Sequence, residues 1–349
     1  MSSEVESLDI AALGEYLTKH VAGFSGLHSA EKFSGRQSNP TFKLSAESGS
    51  YVLRRQPPGK LLKSAHAVDR EYRVYKALEN TPVPVPKVFH LCEDTSVIGS
   101  MFYVMEYCDG RVFWDAALPE LGADSAGNAE RTKAYQQMGQ VLAAIHSVDL
   151  DAVGLSDYGK PGSYFERQLS RWSEQYKASE TQKIPAMDQL IEWLTANMPE
   201  DDGRVALVHG DFRLDNMMFA ADETRVIAVL DWELSTLGHP FADLAYQCMQ
   251  LRMPANSGNM SGLAGANREA LGIPSEADYV AAYCAAMGIE KIDHWAFYLA
   301  FSFFRLAAIA QGVAKRALDG NASSKQASKV GAFVAPLAMA ALHVIKTEA

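Results

Sequence analysis

The chain is short of several things, and each shortage removes a class of function. No uninterrupted apolar run approaches the roughly 18–20 residues that cross a bilayer, so a membrane role is not expected. Positive charge is in deficit, with 32 Lys and Arg against 42 Asp and Glu and a formal net charge of −10. Nucleic acid and anionic membrane surfaces need a basic footprint, so neither is an expected partner. A few arginines can still hold a small anion. Cysteine is sparse: Cys92, Cys108, Cys248 and Cys284 stand apart with no C-x-x-C pair. That spacing offers neither a zinc site nor a disulfide framework and reads as reduced, buried thiols. The segment Met1–Glu6 is acidic and lacks the basic region of a secretory signal, so a cytoplasmic location is expected. No internal repeat is visible.

What is present is a chain of ordinary globular composition, 349 residues long, enough for two lobes with substantial cores. Residues 8–21 form an amphipathic helix, followed by strands at 31–35, 41–45 and 50–54 and a helix over 67–79. Prolines 82, 84 and 86 forbid helix, and strands follow at 87–92 and 101–107. Helical patterns then occupy 131–147, 164–176 and 187–198. Short strands come at 205–208 and 225–230, helix resumes near Phe241, and further helices cover 276–287, 294–318 and 324–345, the last broken at Pro336. The order predicts an α+β protein with a β-rich N-terminal domain over 1–108 and a mainly helical domain over 109–349. The Gly-, Asn- and Ser-rich stretch 254–267 reads as a long loop, with a substrate lid as its functional alternative.

Two segments carry chemistry. Val208-His209-Gly210-Asp211-Phe212-Arg213-Leu214-Asp215-Asn216 is followed by Val229-Leu230-Asp231-Trp232-Glu233. The spacing H-x-D-x-x-x-x-N, then an Asp at the end of an apolar strand, is that of a kinase catalytic loop and its metal-binding Asp. Asp211 is the candidate base for a hydroxyl proton. Asn216 and Asp231 are candidate oxygen ligands for Mg2+ against ATP. Arg213 is a candidate donor to the transferring phosphate, with pairing to Asp215 as its plain alternative. His209 reads as structural. Tyr51-Val52-Leu53-Arg54 occupies the place of V-A-I-K, so Arg54 is the candidate contact for the α- and β-phosphates. Arg55 competes, though strand alternation sends it to the opposite face. Glu71 has no basic neighbour three or four residues away and is free to pair with Arg54. The loop 35–41 is not G-x-G-x-x-G, but Ser38 and Asn39 can cap phosphates. Glu106 and Cys108 lie in a candidate hinge whose backbone would pair with adenine.

His209-Gly210-Asp211 with Asn216, Leu230-Asp231-Trp232 and Asp243-Leu244-Ala245 resemble the aminoglycoside phosphotransferase and choline kinase-like superfamily over nearly the whole chain. Ser38-Asn39-Pro40-Thr41, Tyr51–Arg55 and Ser64–Tyr72 look closest to the branch of kinase-like domains associated with acyl-CoA dehydrogenases. The chain itself carries no flavin motif, and a dehydrogenase label is not expected to fit it. The resemblance implies a two-lobed protein-kinase-like fold, ATP and Mg2+ as cofactors, and a small-molecule hydroxyl as acceptor, with a hydroxyacyl-CoA indicated. It also implies a functional link to an acyl-CoA dehydrogenase and a bracing role for Asp243. Gly238-His239-Pro240 departs from the family's G-D-P beside the expected substrate pocket. Arg252, Arg268, Arg305, Lys315 and Arg316 are candidate bases for CoA. The competing readings are an antibiotic kinase, with Glu269, Glu276, Asp278 and Asp293 facing a cationic substrate, and a nucleotide-binding pseudokinase. No A-P-E segment or activation-loop pattern lies between Asp231 and Asp243, which leaves little room for a protein substrate.

Overall fold

A computed structural model describes residues 8–33, 39–57, 67–255, 262–319 and 330–349. The chain divides into two compact units, Met1–Phe113 with Asp149–Leu155 and Asp215–Ser235, and Trp114–Val148 with Ser156–Leu214 and Thr236–Ala349.

The first unit is built on an antiparallel sheet of β1 (Leu27–Lys32), β2 (Thr41–Ala46), β3 (Gly49–Arg55), β4 (Val88–Cys92) and β5 (Phe102–Glu106), in the spatial order β1-β2-β3-β5-β4. Period-two alternation sorts its two faces. Phe42, Leu44, Leu53, Phe102 and Val104 pack with Leu13 and Leu17 of α1 (Ile10–His20). Each such side chain contributes about 1.5–3 kcal/mol on burial. Asp9 caps α1 by accepting from the Ala12 N–H at 3.0 Å. The residues between, Thr41 and Arg54, are cross-strand partners, and α2 (Val68–Leu78) packs against β4 and β5. A smaller sheet joins β6 (Gly110–Arg111), β8 (Met217–Ala220) and β9 (Val226–Val229) in the order β6-β8-β9. Gly110 is required there, since a Cβ would stand 2.4 Å from the Phe219 carbonyl oxygen. Pro84, which has no N–H to give, uses its carbonyl to accept from Val229 at 2.9 Å.

The second unit is helical. It contains α3 (Ser125–His146), α4 (Tyr164–Ser179), α5 (Pro185–Ala196), α6 (Phe241–Leu251), α7 (Glu276–Met287), α8 (Trp295–Leu318) and α9 (Val334–Glu348). The strand pair β7 (Ala206–Val208) and β10 (Thr236–Gly238) runs antiparallel beside them. Helix α8 is the hub, packing on α4, α5, α6 and α9. By length and composition it could cross a membrane, but 78% of its apolar window is buried within the protein. Ser302, Arg305 and Gln311 interrupt its apolar sequence.

Several boundaries differ from the sequence expectation. The first strand starts at Leu27 rather than residue 31. Its sequence, LHSAEK, is a half-exposed edge strand without the apolar alternation that marks a strand. Strand β8 was not expected, because Met217-Met218-Phe219-Ala220 contains no β-branched residue. Helix α3 begins at Ser125, capped by Asp124, six residues before the expected Arg131. Pro336 sits in the first turn of α9, where its missing N–H costs nothing, instead of breaking a longer helix. The start of that expected helix, Ser324 to Lys329, lies outside the described residues.

Candidate active site

In the first unit, Arg54 gathers three acids. Its Nε donates to Glu71 Oε2 at 2.8 Å, its NH2 to Asp231 Oδ1 at 2.5 Å, and Glu233 Oε2 lies at 3.8 Å. NH1 also reaches the Thr41 hydroxyl at 3.5 Å. Only a planar guanidinium fork serves so many directions at once; a lysine at the end of V-A-I-K presents a single point charge. Arg55 goes to the other face, over the Phe42 ring and towards the Ile98 carbonyl.

Glu71, inside this cluster, is fully buried. Burial pushes its carboxyl up to about 7, with Asp231 and Glu233 adding to the rise and Arg54 opposing it. The Arg54 guanidinium is itself held above its ordinary value: burial works against its charge, but Glu71, Tyr103 and Asp231 outweigh that.

Asn216 is tied through the backbone to Leu230, the residue before Asp231. The Leu230 N–H donates to the Asn216 carbonyl at 2.8 Å, where β8 and β9 pair. Asp231 adopts a left-handed conformation, φ 66°, and its amide donates to the Tyr75 hydroxyl at 3.3 Å. Non-glycine residues accept that strain mainly where the surroundings enforce it, and functional sites are where it collects. The Asp231 side chain is one-third exposed. A carboxylate and an amide oxygen are hard donors. They suit Mg2+, which takes one or two protein ligands and completes its shell with water and phosphate oxygens. Among the described residues no cluster of three or more His, Cys, Asp or Glu forms a ready-made metal cage.

The second unit holds the loop before them. Asp243, buried at the start of α6, accepts the backbone N–H of His209 at 2.6 Å and of Gly210 at 2.9 Å. His146 Nε2 stands 3.3 Å from the same carboxylate, and its Nδ1 is 2.6 Å from the Tyr283 hydroxyl. Burial acts to raise the Asp243 pKa, but His146, His209 and the Gly210 amide hold it below the usual carboxylate range. His209 Nδ1 accepts from the Asp211 N–H at 3.2 Å, so this histidine shapes the loop. Arg213 Nε lies 3.5 Å from Asp211 Oδ2. Tyr246 donates to Asp211 Oδ1 at 3.0 Å, and Arg305 NH2 donates to the Gly210 carbonyl at 2.8 Å. Sequence reasoning missed Tyr246, although it stands three residues after Asp243 and so on the same helix face. Arg305 had a signal of its own, as a lone charge in the apolar centre of α8.

The remaining candidates occupy varied settings. The Asn39 amide, fully buried, donates to Glu233 Oε2 at 3.3 Å and so joins the Arg54 cluster; Ser38 lies outside the described residues. The Glu106 N–H is committed to the Lys87 carbonyl at 2.8 Å and is not available to a base. Cys108 is half-buried, its thiol pushed up to about 11 by burial and then by Glu106. Four of the five candidate bases for CoA have their own settings. Arg252 forks onto Glu276 and Glu348, Arg268 reaches the Leu251 carbonyl, Arg305 is buried, and Lys315 pairs with Asp319. Three of the four acids of the antibiotic-kinase reading are also taken up, Glu276 by Arg252, Asp278 by Ser275 and Asp293 by Lys291. His239 is buried among Phe165, Phe241 and Tyr298, 3.2 Å from Asp202, and borders a cavity of about 570 Å3 beside α4 and α5. Of the loop 254–267, residues 256–261 lie outside the described residues; its ends are joined by a Gly262 N–H to Pro254 carbonyl bond at 3.2 Å.

Residues 29–296 match the phosphotransferase enzyme family. The chain belongs to that family. This phosphotransferase is 48% identical over 327 residues to mouse acyl-CoA dehydrogenase family member 10, covering 92% of its own length but 30% of that relative. It therefore spans about a third of the length of that curated relative. It is 50% identical to a Ralstonia eutropha protein of known structure, named for the aminoglycoside phosphotransferases, with a TM-score of 0.88 and coverage of 97% of this chain and 99% of that one. A thermostable variant of aminoglycoside phosphotransferase APH(4)-Ia, solved with AMP-PNP and hygromycin B, shares the fold at a TM-score of 0.65, with 15% identity and 96% and 99% coverage. The fold is thus kinase-like, with a small antiparallel sheet and a mainly helical remainder.

Proposed function

We propose that the phosphotransferase moves the γ-phosphoryl group of ATP to the hydroxyl of a small molecule, with a hydroxyacyl-CoA as the acceptor class. The observation that carries the reading is the cluster at Arg54, whose single guanidinium reaches Glu71, Asp231 and Glu233. Asp231, one-third exposed, offers a hard carboxylate oxygen to a divalent cation. Asp231 and Asn216 would hold Mg2+, which on binding neutralises charge on the phosphates. Arg54 then lies where its fork can turn to phosphate oxygens. AMP-PNP in a phosphotransferase of the same fold agrees with ATP as donor.

The step needs positioning more than covalent chemistry. The acceptor hydroxyl oxygen forms a bond to the γ-phosphorus as the bond to the β–γ bridging oxygen breaks. ADP leaves, and the hydroxyl proton passes to Asp211. Asp243, by clamping two consecutive backbone amides, keeps the Asp211 loop in one conformation. Arg213 supplies donors to the moving phosphoryl oxygens.

The acceptor class rests on the kinship with a protein named for acyl-CoA dehydrogenases, of which this chain matches one part. A functional link to such a dehydrogenase belongs to the same proposal. The engaged state of Glu276, Asp278 and Asp293 speaks against a strongly acidic aminoglycoside pocket.

The test is ATP consumption by purified protein with Mg2+ and three acceptor panels: hydroxyacyl-CoAs, aminoglycosides and choline-like alcohols. Mass spectrometry follows the products. Gain of one phosphoryl group on a hydroxyacyl-CoA is the expected result. Phosphorylation of an aminoglycoside instead would overturn the acceptor class, and failure of ATP to bind with Mg2+ would overturn the whole reading.

A further inference from the structure

Asp211 has a neighbour that the proposed chemistry does not yet use. Tyr246 lies one helical turn beyond Asp243 on α6, so a single helix face presents both to the loop 209–211. Asp243 holds the backbone; the Tyr246 hydroxyl reaches the side chain, donating to Asp211 Oδ1 at 3.0 Å. The tyrosine is buried, and burial followed by the charge of Asp211 drives its pKa upward. The phenol therefore remains a proton donor across the working range of pH and does not compete as a base.

Arg305 supports this arrangement from α8. Its guanidinium stands 5.4 Å from the centre of the Tyr246 ring and 6.0 Å from that of Trp172, and donates to the Gly210 carbonyl at 2.8 Å. A cation buried in an apolar helix is costly unless its donors are used. Here they are spent on the ring and the backbone that flank Asp211.

A carboxylate is free to rotate about its last torsion, which has only broad preferences. A donor on Oδ1 restrains that rotation and sets Oδ2 on the Arg213 side, at 3.5 Å from its Nε. We propose that Tyr246, propped by Arg305, is the positioning residue that fixes the Asp211 carboxylate for proton acceptance. The proposal rests on Asp211 as the base.

The experiment compares wild type, Tyr246→Phe and Asp211→Asn in the full chain. Water serves as the acceptor probe, and ADP release from MgATP is followed under single-turnover and steady-state conditions. Tyr246→Phe keeps the ring and removes one charge-assisted hydrogen bond. The expected result is a kcat lowered about 10- to 100-fold, with KM for MgATP and the melting temperature close to wild type, and a deeper loss in Asp211→Asn. Full activity in Tyr246→Phe beside an inactive Asp211→Asn would overturn this proposal alone. Full activity in Asp211→Asn would overturn the base assignment and this proposal with it. A loss in Tyr246→Phe that comes with a raised KM or a lowered melting temperature would assign the residue to packing and overturn the positioning role.

Discussion

Arg54 Nε donates to Glu71 Oε2 at 2.8 Å, tying the end of β3 to the buried face of α2. The bond joins two charges taken almost wholly out of water, an arrangement that seldom adds net stability compared with apolar packing. Its value here is in placement, since the same guanidinium also holds Asp231. Retaining such a cluster makes sense where the charges have a ligand to meet.

The raised pKa of Glu71 makes a pH prediction. A carboxyl at about 7 in the folded protein, against an ordinary value of 4.5, binds its proton more tightly when folded. Its contribution to stability is therefore full below about pH 4.5 and is lost as pH rises through 7. Glu71→Gln removes that dependence. Urea denaturation of the ligand-free protein at pH 5 and pH 8 should show the variant gaining about 2 kcal/mol on wild type over this interval. A constant difference between the two proteins would place Glu71 as an ionised partner throughout.

Much of this cluster was legible before the structure. Arg54 and Glu71 could be paired from strand alternation and from the lack of a helical partner for Glu71. The segment 208–216 and Asp231 could be singled out by spacing alone. Asn39 and Glu233 were not legible as a pair because 194 residues separate them and neither belongs to a periodic pattern. The setting of Arg252 was hidden for a related reason: sequence records its charge, but not that Glu276 and Glu348 fold onto it. In the fold, the long periodic helices were visible, whereas β1 and β8 lacked the alternation or branched residues that announce a strand.

Asp231→Asn tests the metal assignment. Asparagine tolerates the left-handed backbone at this position, so the turn should persist while one negative charge is lost. Mg2+-dependent ATP binding, followed by calorimetry, should weaken by at least the roughly 10–100-fold that loss of an outer-shell partner costs a metal site. Binding of ATP in EDTA should change much less. An unaltered Mg2+ titration would remove Asp231 from the metal site.

Asp211→Ala separates chemistry from binding. Loss of a general base lowers turnover by roughly 10²–10⁴, while MgATP affinity should remain, because the proposed nucleotide ligands lie at other positions. The check is product formation at saturating ATP alongside a binding isotherm. Turnover equal to wild type would transfer the proton to another acceptor.

Asp243→Asn should damage the loop without touching the nucleotide. The carboxylate receives two backbone N–H groups and faces His146, all buried. An amide offers one oxygen in place of two and turns its NH2 towards a donor, leaving a buried group unsatisfied at a cost of about 1–3 kcal/mol. Melting temperature should fall by several degrees, and turnover should fall as Asp211 loses its fixed backbone. The wild-type carboxyl is held below its ordinary pKa in the fold. Its stabilising contribution is therefore present above about pH 3.8 and disappears as pH drops through the folded value. Acid unfolding should be correspondingly less steep in Asp243→Asn, in a window below that of Glu71. A double variant carrying Glu71→Gln and Asp243→Asn should lose both pH dependences, each in its own window.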